Sequence, residues 1–122
     1  MVVALGSLLP LPALADLQLV MIEQTGCFYC ARWHEEVGDA YDRTPEGAVA
    51  PLRTLQLSEP IPDDLDIQGR AVFTPTFILV SDGQEVGRLE GYPGEDFFWG
   101  LLQRMIEQTG VDLETEAAGA TN

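Results

Sequence analysis

The chain has two cysteines, Cys27 and Cys30, and they stand where an apolar run gives way to an amphipathic one. The apolar run is Leu17 to Ile22, broken only by Gln18 and closed by Thr25-Gly26, and it predicts a buried strand. From Cys27 to Tyr41 the residues Cys30, Trp33, Val37 and Tyr41 recur at helical steps, with Arg32, Glu35, Glu36 and Asp39 on the other faces. A strand therefore feeds directly into a helix that begins at the cysteine pair. Gly38 weakens that helix, and Thr44-Pro45 closes the segment after it. Two thiols one helical turn apart exclude a multi-disulfide scaffold and a four-cysteine zinc site within the chain.

The remaining segments extend the alternation of strand and helix. Residues 45–51 read as a helical turn and Leu52 to Leu57, lying between breakers, as a second strand. Ser58 to Gly69 is an acidic, proline-bearing loop with room for a short helix. Phe77 to Val80, Asp82-Gly83 and Glu85 to Glu90 predict a β-hairpin. Gly94 to Gln108 carries Phe97, Phe98, Leu101, Leu102, Met105 and Ile106 at helical spacing and stops at Gly110. Of the adjacent Phe97, Phe98 and Trp99, one must face outward. The expected fold is α/β, with a mixed central sheet covered by helices. The hexapeptide Met-Ile-Glu-Gln-Thr-Gly occurs at 21–26 and again at 105–110, once at an expected strand end and once at a helix end. Its flanks differ, so it is read as coincidence.

Twenty acidic residues against six basic ones, all arginine, give a net charge of −14. Such a surface excludes nucleic acid, whose phosphates need cations to displace their counterions, and disfavours anionic lipid. Residues 2–15 are apolar and end in Ala13-Leu14-Ala15 before Asp16, the form of a secretory cleavage site. Pro10 and Pro12 argue against an extra strand there. The expectation is a signal peptide over 1–15, a periplasmic domain over 16–112 and a flexible acidic tail over 113–122.

Thiol exchange requires a thiolate, a second thiol within reach, and access to the first sulfur. Cys27 lies at the helix N-terminus, where free N–H groups and the positive end of the dipole favour a negative sulfur. Cys27 is thus the expected nucleophile, and Cys30, one turn later, the resolving thiol. Phe73-Thr74-Pro75-Thr76-Phe77 places an X-Pro just before the third strand, 45 residues after Cys30. A cis proline opposite the cysteines would leave the backbone of Thr74 free to pair with an extended substrate segment. Cys27, Cys30 and His34 also form C-x2-C-x3-H, a spacing open to zinc or copper. The plainer reading of His34 is a solvent-facing helix residue that tunes the thiols.

Taken together, EQTGCFYCARW, FTPTFILV and VGRLEGYPGEDFFWGLL resemble the SoxS-type periplasmic thioredoxin-like proteins of bacterial sulfur oxidation, from about Leu19 to Ile106. The cysteine motif is generic to thioredoxins; the GYPGEDFFWGLL run is the specific part. The resemblance implies a thioredoxin fold and a reductase that keeps the sulfur-carrier protein of the Sox thiosulfate-oxidising system active. By position it implies Cys27 and Cys30 as redox pair, Thr74-Pro75 as the substrate-facing loop, and Gly91 as the glycine lining the groove. Phe28 and Tyr29, between the cysteines, would face the substrate.

Three departures stand out. The residue between the cysteines that is often proline is Phe28, and the usual tryptophan before the first cysteine is Gly26. The buried aspartate of thioredoxins, six residues before the first cysteine, is Met21, which leaves Glu23 as a candidate proton acceptor. The expected cofactor set is empty, the redox element being the Cys27-Cys30 pair itself. The expected partners are a protein thiol or disulfide and a membrane thiol donor, since the periplasm is oxidising. Two readings compete with reduction: an oxidase or isomerase of secreted proteins, and a metal-binding module of Cys27, Cys30 and His34.

Overall fold

The computed structural model describes Val3, Gly6 and residues 15–114. The expected signal peptide falls, apart from Val3, Gly6 and Ala15, outside the described residues, and so does the expected tail beyond Glu114.

Four strands form one sheet: β1 (Leu17–Glu23), β2 (Leu52–Gln56), β3 (Thr76–Ser81) and β4 (Gln84–Glu90), in the order β2-β1-β3-β4. β1 pairs in parallel with β2, while β3 runs antiparallel to both β1 and β4. The β3–β4 turn is Asp82-Gly83, both with positive φ (50° and 83°), the conformation that an Asp-Gly hairpin turn supplies most easily.

Between β1 and β2 the chain makes α1 (Phe28–Trp33), a π-helical turn (His34–Gly38), α2 (Asp39–Tyr41) and the short α3 (Pro45–Val49). The apolar stripe expected over 27–41 is present: Cys30, Trp33, Val37 and Tyr41 are all buried. The π turn departs from the single regular helix that the spacing predicts, and it falls where Gly38 is packed against His34 and Trp33. Thr44 accepts the Gly47 N–H as cap of α3, with Pro45 in its first turn, so the pair that ends one helix starts the next.

The last helix, α4 (Glu95–Gln108), turns Phe98, Leu102 and Ile106 inward and leaves Phe97 outside. The core has two halves, one on each sheet face. Leu19 and Met21 of β1 meet Trp33, Tyr41, Phe77 and Phe98 on the helix side. Val20, Ile22, Ile78 and Val80 face Leu65 and Ala71 on the other. That second face is covered by residues 57–75, which contain no helix; the short helix allowed by the sequence does not form. Pro60 and Pro62, two residues apart, remove the N–H donors a helical turn would need there. The segment is tied instead by backbone bonds between Asp66 and the hairpin turn, at Gly83 and Glu85.

Candidate active site around the cysteine pair

Cys27 and Cys30 form a disulfide with Cα atoms 5.2 Å apart. Cys27 caps α1: its backbone is extended, and its Sγ accepts the Cys30 N–H at 3.1 Å. Both sulfurs are therefore held by the first turn, but they differ in access. Cys30 is only 4% exposed and belongs to the aromatic core, whereas Cys27 is half-buried at its rim. The outer sulfur is reachable and the inner one is not.

The floor beneath this turn is β1. Met21, at the position of the thioredoxin aspartate, is fully buried and carries no proton to exchange. Two residues further along β1, and so on the same face, Glu23 pairs with His34, with Oε2 2.7 Å from Nε2. Glu23 is 21% and His34 43% exposed, so the pair lies at the surface with each residue holding the other. His34 thus points to Glu23, and no group of three or more metal-ligating side chains occurs among the described residues.

On the flank of α1, Arg32 binds Glu36, and the Tyr92 hydroxyl donates to the other Glu36 oxygen at 3.1 Å. The hydrogen bond from Arg32 holds the Glu36 carboxyl below its usual range. Burial, and then the Glu36 carboxylate, push the Tyr92 hydroxyl up to about 12. Tyr92 follows Gly91, so this network joins the cysteine helix to the strand end behind the proline loop.

The second wall is the stretch that leads into β3, placed at the same end of the sheet by the pairing of Ile22 with Thr76. The Thr74–Pro75 peptide is cis, and the Pro75 carbonyl accepts the Gly91 N–H at 2.7 Å. Gly91 has φ of 85°, which suits glycine although a Cβ would meet nothing within 4 Å. Its role in the geometry is thus to back the proline. The Thr74 hydroxyl accepts from Gln24 Nε2 at 2.8 Å, a bond that spans the two walls. The backbone N–H and C=O of Thr74 have no partner among the described residues, so they remain open to an extended chain. Phe28 and Tyr29, in edge contact, stand 71% and 52% exposed beside the disulfide, and Val72 and Phe73 are equally exposed before Thr74. Next to this loop a groove of about 740 Å³ is lined by Ile22, Leu57, Ile61, Leu65, Arg70 and Ala71, among others.

Several of these residues carried no sequence signal. Gln24 reaches Thr74, 50 residues away, and on β4 Glu85 and Arg88 reach Gln68, 17 and 20 residues away, which spacing cannot reveal. Val72 and Phe73 could have been found, because two apolar residues next to an X-Pro at a strand start are unlike an ordinary polar loop.

Comparison with known proteins agrees with this geometry. Residues 13–106 match the model of a thioredoxin-like domain. The chain is 51% identical to the periplasmic thioredoxin SoxS from Paracoccus pantotrophus, crystallised in its reduced form; the alignment covers 77% of this chain and 99% of that one, with a TM-score of 0.76. A Fasciola hepatica thioredoxin aligns at 17% identity over 74% of this chain and 81% of its own, TM-score 0.54. A thioredoxin-fold protein from Helicobacter pylori aligns at 16% identity over 88% and 85%, TM-score 0.57, so these two share the fold alone. No curated protein matches the chain. With a reachable and a buried sulfur in one helical turn, a cis X-Pro at the same end of the sheet, and a domain match over most of its length, the chain belongs to the thioredoxin-like family as a thiol-disulfide oxidoreductase.

Proposed function

We propose that the chain is a periplasmic dithiol reductase acting on a cysteine of a partner protein. The observation that carries the reading is the asymmetry of the pair, a half-buried Cys27 above a buried Cys30, at the end of the sheet where the Thr74 backbone is unpaired. The Cys27 thiolate attacks the partner's disulfide sulfur; that S–S bond breaks, one partner sulfur leaves as a thiolate, and a mixed disulfide forms. Cys30 then loses its proton and attacks Cys27 Sγ, releasing the second partner sulfur and closing Cys27–Cys30. Two electrons have passed to the partner.

Several residues have supporting roles. Thr74 and Pro75 align the partner chain, with Gly91 behind them and Phe28 and Tyr29 offering apolar contact. Glu23, with His34 upon it, receives the Cys30 proton in place of the aspartate that Met21 replaces. A membrane thiol donor returns the disulfide to the dithiol, because an oxidising compartment supplies no soluble reductant. The partner favoured by the resemblance is the sulfur-carrier protein of the Sox system, and the periplasmic location of the similar SoxS protein supports the compartment. The domain of this reading spans 16–112, after a signal peptide over 1–15.

The reduction potential tests the direction: about −270 mV is expected of a reductant, whereas about −120 mV would make the chain an oxidant of secreted proteins. Periplasmic extract passed over the Cys30→Ser protein should yield a covalently bound partner. Recovery of no disulfide-linked protein would contradict the reading.

A further inference from the structure

Residues 57–75 hold no helix, yet they end where β3 starts beside the end of β1, the strand that leads to the cysteine pair. Their last third is fixed by one polar clamp from the edge strand β4. Arg88 donates through its Nη2 to the carbonyls of Gln68 (2.8 Å) and Gly69 (3.4 Å). Glu85 accepts the Gln68 N–H at 3.0 Å and also holds the guanidinium, at 2.7 Å from Nη2 and 3.1 Å from Nε. Both side chains are largely buried, 17% and 10% exposed, so the pair is shielded from water and salt. Immediately beyond the clamped residues come Arg70, Ala71, the exposed Val72 and Phe73, and then Thr74. Ala71 and Gly69 also line the groove beside this loop. Neither Arg88 nor Glu85 belongs to the cysteine wall of the cleft.

We propose that Glu85 and Arg88 are positioning residues for substrate: they fix Gln68-Gly69 and so hold Val72, Phe73 and Thr74 at the height at which a partner chain can pair beside the disulfide. The proposal rests on the function proposed above and adds where the affinity for a polypeptide substrate is set. It separates two quantities that a damaged cysteine site would change together. Loosening the loop weakens the hold on a peptide, while the sulfur chemistry at Cys27 is untouched because α1 and β1 stay in place.

The test uses the reduced full chain in single-turnover reactions with two probes. One is a ten-residue peptide whose cysteine is capped with 5-thio-2-nitrobenzoate, so that attack on the peptide sulfur releases the chromophore. The other is 5,5′-dithiobis(2-nitrobenzoate), the same leaving group without a peptide. In Arg88→Gln, half-saturation for the peptide should rise about tenfold, the loss expected for a shielded charge-assisted bond, with the limiting rate unchanged. The rate with the peptide-free probe should match wild type, and Arg88→Lys should recover part of the peptide affinity. Trypsin should cut after Arg70 faster in Arg88→Gln, which reads the loosened loop directly. If Arg88→Gln does not fold, Glu85→Gln and Arg88→Lys carry the same comparison. Unchanged half-saturation for the peptide would overturn the proposal, and so would equal slowing with both probes. A wild-type protein that reacts with the peptide-free probe but never saturates with the peptide would overturn it while leaving the redox pair intact. One that reacts with neither would overturn the function itself.

Discussion

The two walls of the cleft are built on different principles. The cysteine wall rests on aromatic packing: Trp33, Tyr41, Phe77 and Phe98 are all fully buried beneath it, with ring centroids of the Phe77–Phe98 pair 4.9 Å apart. The Thr74 wall rests on polar ties, namely Arg88 and Glu85 on Gln68-Gly69, Gly91 on Pro75 and Gln24 on Thr74. A close-packed floor fixes the sulfurs to within a rotamer, which thiol exchange demands. A hydrogen-bonded strap tolerates small shifts, which suits a surface that must accept another chain. On the function proposed above, the sulfur chemistry falls on the rigid wall and the pairing with a partner backbone on the adjustable one.

That contrast sets what each substitution should do. Cys27→Ser should abolish release of chromophore from both disulfide probes, since the other thiol, Cys30, is buried; retained activity would move the nucleophile elsewhere. Phe98→Ala should cost about 3–5 kcal/mol of stability, the usual range for emptying a buried aromatic site, read by urea or thermal unfolding. Loss of peptide affinity without loss of stability in that variant would break the division between the walls. Glu23→Gln should slow resolution of the Cys27 mixed disulfide about a hundredfold, while capture by Cys27 is unaffected. An unaltered resolution rate would remove Glu23 from proton transfer.

The smallest expected effect concerns the flank of the cysteine helix. Glu36 is held below its ordinary value of 4.5 by the hydrogen bond from Arg32. Because its folded pKa is depressed, its contribution to stability is complete above pH 4.5 and fades as pH falls through the lower folded value. Glu36→Gln should therefore remove a shallow acid-side slope from unfolding free energy against pH. The same slope in both proteins would show that Glu36 contributes nothing there.

Most of the fold was legible because it rests on local pattern. The apolar run of β1, the stripe of α1, the Asp-Gly turn and the amphipathic α4 each announce themselves within a dozen residues. The hexapeptide repeat marks the limit of such reading. Met21-Ile22-Glu23 is strand, whereas Met105, Ile106 and Glu107 lie in a helix, so tertiary context decides between two conformations of the same residues. What the copies share is local: both end in a glycine with positive φ, Gly26 at 80° and Gly110 at 91°.

The site divides in the same way. Cys27, Cys30 and the Thr74-Pro75 wall could be located by motif and spacing. The Glu23–His34 pair was half legible, since each residue was singled out but their contact across 11 positions was not. The Arg88 clamp was invisible, because nothing about an Arg in an edge strand says which distant carbonyls it will reach. The π turn was missed because it preserves the apolar spacing that defines a helix.

The most direct test of the division of labour between the cysteines is mass spectrometry of the Cys30→Ser protein after reaction with the capped peptide. The account predicts one stable adduct, with the peptide's cysteine joined to Cys27, and prompt release of the peptide when the same reaction is run with Cys30 intact. Slow release with Cys30 present, at the rate seen for Cys30→Ser, would contradict the assignment of Cys30 as the resolving thiol.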